Sequence, residues 1–320
     1  MDTPEFLTTS LHGITIIATP LHILGTYCIL YQTPKTMDSV KWVMLNFHCW
    51  CMILDWSLTI LTIPYLLYPS MGGFPLGILK DFGIGVDYQV YFVVSVICTV
   101  IASIVLIFEN RFYIMFAKNT RWEKIRKLYI PGNFVFSFTF FIPALFNVPD
   151  QEIAVRQMHI LIPNMPPSIS NYKLFVMATE FTWVIVPITA ASLVYFTAFY
   201  ILLTLLSKNL KNATKLSTYS RNTLNLQKKF MHSMHIQASV FLLNIQLPVV
   251  YGLISQYTGY FNQVYNNWSF IALSLHGVAS TVVLIYVHKP YREFCSQMLG
   301  TAKRRIPRRS IVSVVIVSQT

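Results

Sequence analysis

The sequence predicts an all-α membrane protein: a bundle of seven transmembrane helices with an extracellular N-terminus and a short amphipathic helix after the last of them. The first reason is composition, because 54% of the 320 residues are hydrophobic and 11% are charged, against about 25% charged in soluble domains. The second is that apolar residues form blocks of about 18 residues or more, which is long enough to cross a bilayer. The third is that basic residues gather in alternate connections between these blocks.

The predicted helices account for most of the chain. The segment 1–8 is expected to be an extracellular N-terminus, 9–299 the seven-transmembrane domain with its surface helix, and 300–320 a basic cytosolic tail. Turn-forming residues separate the helices, which are predicted to cover residues 9–31, 42–68, 88–108, 128–146, 174–206, 230–254 and 268–287.

The charge distribution sets the orientation. All but three of the 24 Lys and Arg residues lie in the first, third and fifth connections and after the last helix. By the positive-inside rule these segments are cytosolic, so the net charge of +12 indicates orientation in a plasma membrane rather than nucleic-acid binding. The exceptions on the outer side are Lys80, Arg156 and Lys173. The long outer connection, residues 147–173, contains four prolines and is expected to be irregular and extended.

The five cysteines predict no disulfide. Cys28, Cys49, Cys51 and Cys98 fall inside predicted helices, and Cys295 follows the last helix on the cytosolic side, where it is a candidate for palmitoylation. The first ten residues are acidic rather than basic, so the first helix is expected to be an uncleaved anchor.

Glu109 and Arg111 form the sharpest local motif, at the cytosolic end of the third helix. With Phe112 following, they resemble the acid-Arg-aromatic motif of G-protein-coupled receptors. The hypothesis is a switch in which the Glu109 carboxylate holds the Arg111 guanidinium at rest and releases it toward a partner on activation. The alternative is a charge pair that only anchors the helix end.

The sixth helix carries Asn244, Gln246 and Pro248. Proline removes an intrahelical hydrogen bond and bends a helix, and polar neighbours satisfy the freed carbonyl or bond across helices. Pro248 is therefore either the hinge of a moving helix or a static kink.

Two carboxylates are predicted inside the membrane, where charged side chains are rare and usually face the bundle interior. Asp55 lies deep in the second helix, two turns from His48 on the same face, and is expected to join a polar network with a group on the third or seventh helix, where His276 lies. Glu180 is predicted near the outer end of the fifth helix and is the candidate ligand-binding residue.

The seventh helix is expected to end at the membrane edge because Pro290 follows it. After Pro290, Tyr291 and Arg292, residues 293–299 are expected to form a short amphipathic helix on the inner membrane surface, followed by basic residues that favour anionic lipid.

Segments along nearly the whole membrane domain resemble nematode serpentine chemoreceptors, specifically class H. The matching segments are Pro20-Leu21-His22-Ile23-Leu24-Gly25, Thr33-Pro34-Lys35, Val40-Lys41-Trp42, Leu45-Asn46 with His48, Leu54-Asp55, Phe108-Glu109-Asn110-Arg111, Asn244-Ile245-Gln246 with Pro248, His276-Gly277, Ser280-Thr281 and His288-Lys289-Pro290-Tyr291-Arg292.

This resemblance implies a G-protein-coupled receptor in the cilia of chemosensory neurons. It would bind an external small molecule, an odorant or tastant, between the outer halves of its helices and activate a heterotrimeric G protein through the cytosolic ends of helices 3, 5 and 6. No cofactor and no metal are expected. The chain departs from the rhodopsin-like pattern, since its seventh helix lacks Asn-Pro-x-x-Tyr and its sixth lacks Cys-Trp-x-Pro.

Three other functions are alternatives to that of a receptor. A small-solute transporter is the main alternative, but the two halves of the chain show no convincing repeat. A retinal protein is excluded because residues 268–287 contain no lysine for a Schiff base. A membrane enzyme is not favoured, since no HExxH or GxSxG motif is present and the histidines are scattered.

Overall fold

The computed structural model describes residues 1–180, 182–215 and 221–300. Within these residues, seven helical segments are long and apolar enough to cross a membrane, so the predicted all-α seven-helix fold is confirmed. The helices are α1 (Pro4–Tyr31), α2 (Asp38–Trp56, extended by a π-helical turn Ser57–Leu61), α3 (Val86–Phe112), α4 (Arg121–Thr139), α5 (Ile142–Phe146), α6 (Gln151–Leu161), α7 (Thr182–Lys215), α8 (Arg221–Thr258), α9 (Gln263–Ser274), α10 (His276–Val287) and α11 (Lys289–Met298).

Most spans are single helices, but two are broken. The fourth span consists of α4 and α5, because Pro143 lacks the N–H that would bond the carbonyl of Thr139, where α4 ends. The seventh span consists of α9 and α10, with the break at Leu275. Helix α3 runs through the centre of the bundle, packed against α2, α4 and α7, and is the most buried span.

The start of α4 corrects the predicted boundary. The helix begins at Arg121, seven residues before the predicted residue 128, and Thr120 caps it by accepting a hydrogen bond from the Trp122 backbone N–H at 3.2 Å. The charged first turns hid this start from a prediction that depended on hydrophobicity. The N-terminal segment also differs, since α1 begins at Pro4 with Thr3 as its cap.

An outer β-sheet replaces parts of two predicted helices. Strands β1 (Pro64–Leu66), β2 (Met71–Pro75) and β3 (Phe175–Ala178) pair antiparallel in that order. The predictions that the second helix reaches residue 68 and that the fifth begins at residue 174 are therefore wrong. Gly73 allows the tight pairing, because a Cβ there would lie 2.1 Å from the Tyr65 carbonyl oxygen.

The outer connection between the fourth and fifth spans is ordered rather than extended, so that prediction is also wrong. Asp150 caps α6 by accepting hydrogen bonds from the backbone N–H groups of Glu152 and Ile153. The Gln151 side chain then joins α6 to the sheet, accepting from Val176 N at 2.9 Å and donating to Val176 O at 3.0 Å.

Helix α11 lies at the cytosolic end and contains the predicted surface helix. Its first turn contains Pro290, and it begins four residues before the predicted residue 293. Tyr291 is buried, and its hydroxyl lies 2.7 Å from Thr33 Oγ1, while Phe294 stacks on Tyr27 with 5.3 Å between ring centroids. The predicted tail after Gly300 lies outside the described residues.

Candidate functional site

A buried cluster of polar side chains joins α1, α2 and α10. Its centre is Asp55, whose side chain is 1% exposed. His22 Nε2 lies 2.7 Å from Asp55 Oδ2, and His276 Nδ1 lies 3.1 Å from Asp55 Oδ1. The carboxylate therefore bridges the first and seventh spans from its place on the second.

Two other side chains complete this Asp55 cluster. His48 Nε2 lies 3.1 Å from the backbone carbonyl oxygen of His22, and Thr281 Oγ1 lies 3.1 Å from His22 Nδ1. The second ring nitrogen of His22 thus has a partner of its own. In such a chain each hydrogen bond fixes the position of the next donor or acceptor.

Two glycines allow the helices to approach this closely. A Cβ on Gly277 would lie 1.7 Å from Asp55 Oδ2, and one on Gly25 would lie 2.8 Å from His48 Cε1. Small residues permit such contacts between membrane helices. At the break in the seventh span, His276 Nδ1 also lies 2.9 Å from the Leu273 carbonyl oxygen, so the cluster reaches the point where α9 ends and α10 begins.

The structure places His48, Asp55 and His276, the three residues of the predicted intramembrane network, in one cluster. His22 was missed, although a histidine inside an apolar helix carries the same signal as His48. In the part of the chain that the structure describes, no group of three His, Cys, Asp or Glu side chains is placed to coordinate an ion.

A second polar site, the Glu109 clasp, lies at the cytosolic end of α3. The Glu109 side chain is fully buried and accepts hydrogen bonds from Arg126 Nε at 2.9 and 3.0 Å and from Trp122 Nε1 at 2.8 Å. Arg126 also donates from Nη2 to Asn110 Oδ1 at 2.9 Å, and its guanidinium lies 4.4 Å from the centroid of the Tyr113 ring. The start of α4 is therefore fastened to the end of α3.

The predicted resting pair of Glu109 with Arg111 is wrong. Among the described residues, the ion pair of Glu109 is made with Arg126. The reason is helical geometry, because side chains two residues apart on a helix do not face each other. Arg111 is itself 4% exposed and lies among the residues that end α3.

Glu180 does not lie inside the fifth span. It follows β3 and precedes Thr182, where α7 begins, and its side chain is exposed on the outer side. The hydrophobic residues of β3 had been assigned to the helix, which placed Glu180 too deep.

The predicted hinge residues lie in α8, which is helical through Pro248. Asn244 Nδ2 donates to the Val240 carbonyl oxygen at 2.9 Å, one turn earlier in the same helix. Pro248 is buried and Gln246 is exposed.

Cys295 on α11 is half-buried, and its thiol contacts the buried thiol of Cys28 on α1. Its acylation stays a prediction.

A cavity of about 40 Å³ lies in the bundle between α3, α7 and α8, lined by apolar side chains such as Ile104, Phe199 and Leu242. Its apolar walls offer few partners to a water molecule. The cavity leaves packing space beside the middle of α8.

The chain is similar to known proteins along most of its length. The family model described as serpentine type 7TM GPCR chemoreceptor Srh matches residues 2–301. The chain belongs to this family. This Srh protein is 26% identical over 318 residues to serpentine receptor class H-72 of Caenorhabditis elegans, a match that covers 95% of this chain and 88% of that protein. The crystal structure of squid rhodopsin shares the fold, with a TM-score of 0.57 and 12% identity over 92% of this chain and 84% of that one.

Membership confirms the class H resemblance and makes the protein an integral membrane receptor of the G-protein-coupled type rather than an enzyme. The Asp55 cluster and the Glu109 clasp are then two polar sites inside a receptor fold, one in its interior and one at its cytosolic end.

Proposed function

We propose that this Srh receptor binds an external odorant or tastant between the outer halves of its helices and activates a heterotrimeric G protein through the cytosolic ends of α3, α7 and α8. The observation that carries the proposal is the Glu109 clasp. A fully buried carboxylate fastens α4 to α3 on the basic cytosolic face, two residues before Arg111 in the chain.

The clasp defines the resting state. Its ion pair is buried on the Glu109 side and about one-fifth exposed on the Arg126 side (22%), so a partner reaches it from the cytosol. On activation, α8 moves outward about Pro248, and Arg111 turns toward the partner that enters between α3, α7 and α8. A guanidinium suits this role because it stays charged and presents several donors in one plane.

The Asp55 cluster transmits the signal from the outer half. Because it joins α1 and α2 to the break in the seventh span, a ligand that shifts α9 alters the contact of His276 with Asp55. Glu180, exposed at the outer mouth beside α7, remains the candidate residue for first contact with the ligand. The proposed location is the plasma membrane of a sensory cilium.

The experiment is nucleotide exchange on a heterotrimeric G protein in cells that express the receptor and are exposed to a panel of volatile and soluble chemicals. Arg111→Ala is expected to lose the response at equal surface level. The matched control is Arg121→Ala, which removes an exposed arginine from the same cytosolic face. An Arg111→Ala receptor that signals like the wild type would contradict the role proposed for Arg111.

A further inference from the structure

The outer cap of the receptor contains a large cavity that lies apart from the helix bundle. It measures about 560 Å³ and is formed entirely by the connection between the fourth and fifth spans, residues 151–174. This volume falls in the range of roughly 300–1,000 Å³ that is typical of small-molecule sites.

The wall of this cap cavity is apolar and fixed in place. Val155 on α6 contributes to it together with Ile169, Tyr172 and Leu174, which lead into β3. Ile169 is buried, and Tyr172 stacks on Phe74 of β2 with 4.3 Å between ring centroids. The wall is therefore held by the sheet as well as by its own loop.

The rim of the cap cavity is polar and carries a cation. Lys173 and His159 line it, and both are exposed. The acid on the rim, Glu152, is already bonded to Arg156 one turn further along α6. The ammonium group of Lys173 is therefore the charge on the rim that Glu152 does not offset.

The charges of the outer side also distinguish the cap cavity. The outer side of the protein is acidic apart from Lys80, Arg156 and Lys173. Two of these three lie in the segment that forms the cap cavity, and because Arg156 pairs with Glu152, the remaining charge of that segment is the single positive charge of Lys173. An apolar wall with a cationic rim matches an amphipathic carboxylate, whose apolar body covers Tyr172 while its carboxylate pairs with Lys173.

We propose that the cap cavity is a binding site for small amphipathic carboxylates, separate from the site between the helices. The occupied site has two connections to the bundle. Leu174 leads directly into β3, which is followed by α7, and the Gln151 side chain ties α6 to the same strand. An occupant thus stiffens the segment from which α7 begins.

The test uses the full-length receptor in nanodiscs of zwitterionic lipid and three probes of one shape: 3-phenylpropionate, 3-phenylpropan-1-ol and 3-phenylpropylamine. Saturation-transfer NMR measures the dissociation constant of each. The carboxylate is expected to bind tightest, and Lys173→Gln to weaken it by about fivefold, the upper range for an exposed ion pair. In the same variant the dissociation constant of the alcohol is expected to stay unchanged.

Lys80→Gln is the matched control, since it removes the same charge from an exposed outer site away from the cavity, and it should bind all probes like the wild type. Val155→Trp fills the cavity and should abolish binding of both carboxylate and alcohol. Thermal melting checks that each variant is folded. Binding is measured without G protein, so Arg111→Ala should bind the probes normally even if signalling is lost.

Three results would overturn the proposal. One is absence of saturable binding to the wild type. Another is equal binding of the carboxylate by wild type and a folded Lys173→Gln. The third is tighter binding of the amine, which would mean that Glu152 rather than Lys173 sets the charge preference.

Discussion

In the bundle interior, the Asp55 carboxylate lies between His22 of α1 and His276 of α10. A carboxylate at this depth is costly unless it is paired, and histidines from two other helices lie 2.7 and 3.1 Å from its two oxygens. Removing His22 takes away the hydrogen bond to Oδ2. The cluster therefore specifies how the first, second and seventh spans pack.

The approach of α10 to Asp55 is tested by a single methyl group. Gly277→Ala places its Cβ where Asp55 Oδ2 now lies, so we expect a loss of roughly 1–3 kcal/mol in stability. Thermal unfolding of the receptor in detergent measures it as a lower melting temperature.

Gly132→Ala is the control, because Gly132 lies inside α4 with nothing within 4 Å of a Cβ. It should be neutral or stabilising by about 0.5–1 kcal/mol. Equal melting temperatures of Gly277→Ala and Gly132→Ala would contradict the close packing assigned to Gly277.

Helix α11 has a pH-sensitive attachment to the bundle. His288 at its start is 5% exposed, and burial lowers its pKa from 6.5 to about 4. The folded protein therefore binds fewer protons than the unfolded chain between these values. The free energy of unfolding therefore carries no penalty from His288 above pH 6.5. It falls as the pH drops toward 4, by up to roughly 3 kcal/mol.

The expected result is a melting temperature that declines between pH 6.5 and 4 in the wild type and declines less in His288→Gln, which has no ionisable group at this position. Above pH 7 the pH dependence of the two proteins should be alike. If the melting temperatures of both proteins fell equally between pH 6.5 and 4, His288 would not titrate in this range.

Helix α8 is expected to depend on its proline for movement. Pro248→Ala restores the N–H that bonds the Asn244 carbonyl, a gain of roughly 0.5–1.5 kcal/mol that stiffens the helix. We expect a higher melting temperature and a weaker agonist-stimulated nucleotide exchange. Pro20→Ala in α1 is the control, since α1 is not expected to move. Normal exchange by Pro248→Ala would make Pro248 a static kink.

Among the helices and strands, the length of the apolar segments predicted the helices well and the outer sheet badly. Long apolar segments such as α3 are recognisable from composition alone. Strands β1 and β3 are as apolar as the helices they adjoin, and they are strands because β2 pairs with both, across about 100 residues in the case of β3. No local pattern contains that pairing. The partner of Glu109 was missed similarly, since Arg126 reaches it from another helix.

For the whole molecule, orientation follows from charge. The positive-inside rule places the Glu109 clasp in the cytosol and the sheet, α6 and the cap cavity outside. The two ends thus have separate chemistry: a mixed apolar and polar outer cap, and a basic inner face that contains the buried Glu109–Arg126 ion pair. This separation is what a receptor needs to connect an outer ligand to an inner partner.

The most direct test of this account is basal nucleotide exchange, without ligand, in Arg126→Ala compared with Lys127→Ala at equal surface level. Arg126 bonds Glu109, whereas Lys127 is its exposed neighbour on α4. Loss of the clasp is expected to raise basal exchange in Arg126→Ala above the wild type, while Lys127→Ala stays at the wild-type level. Basal exchange in a folded Arg126→Ala receptor that equals the wild type would contradict the clasp as the resting lock.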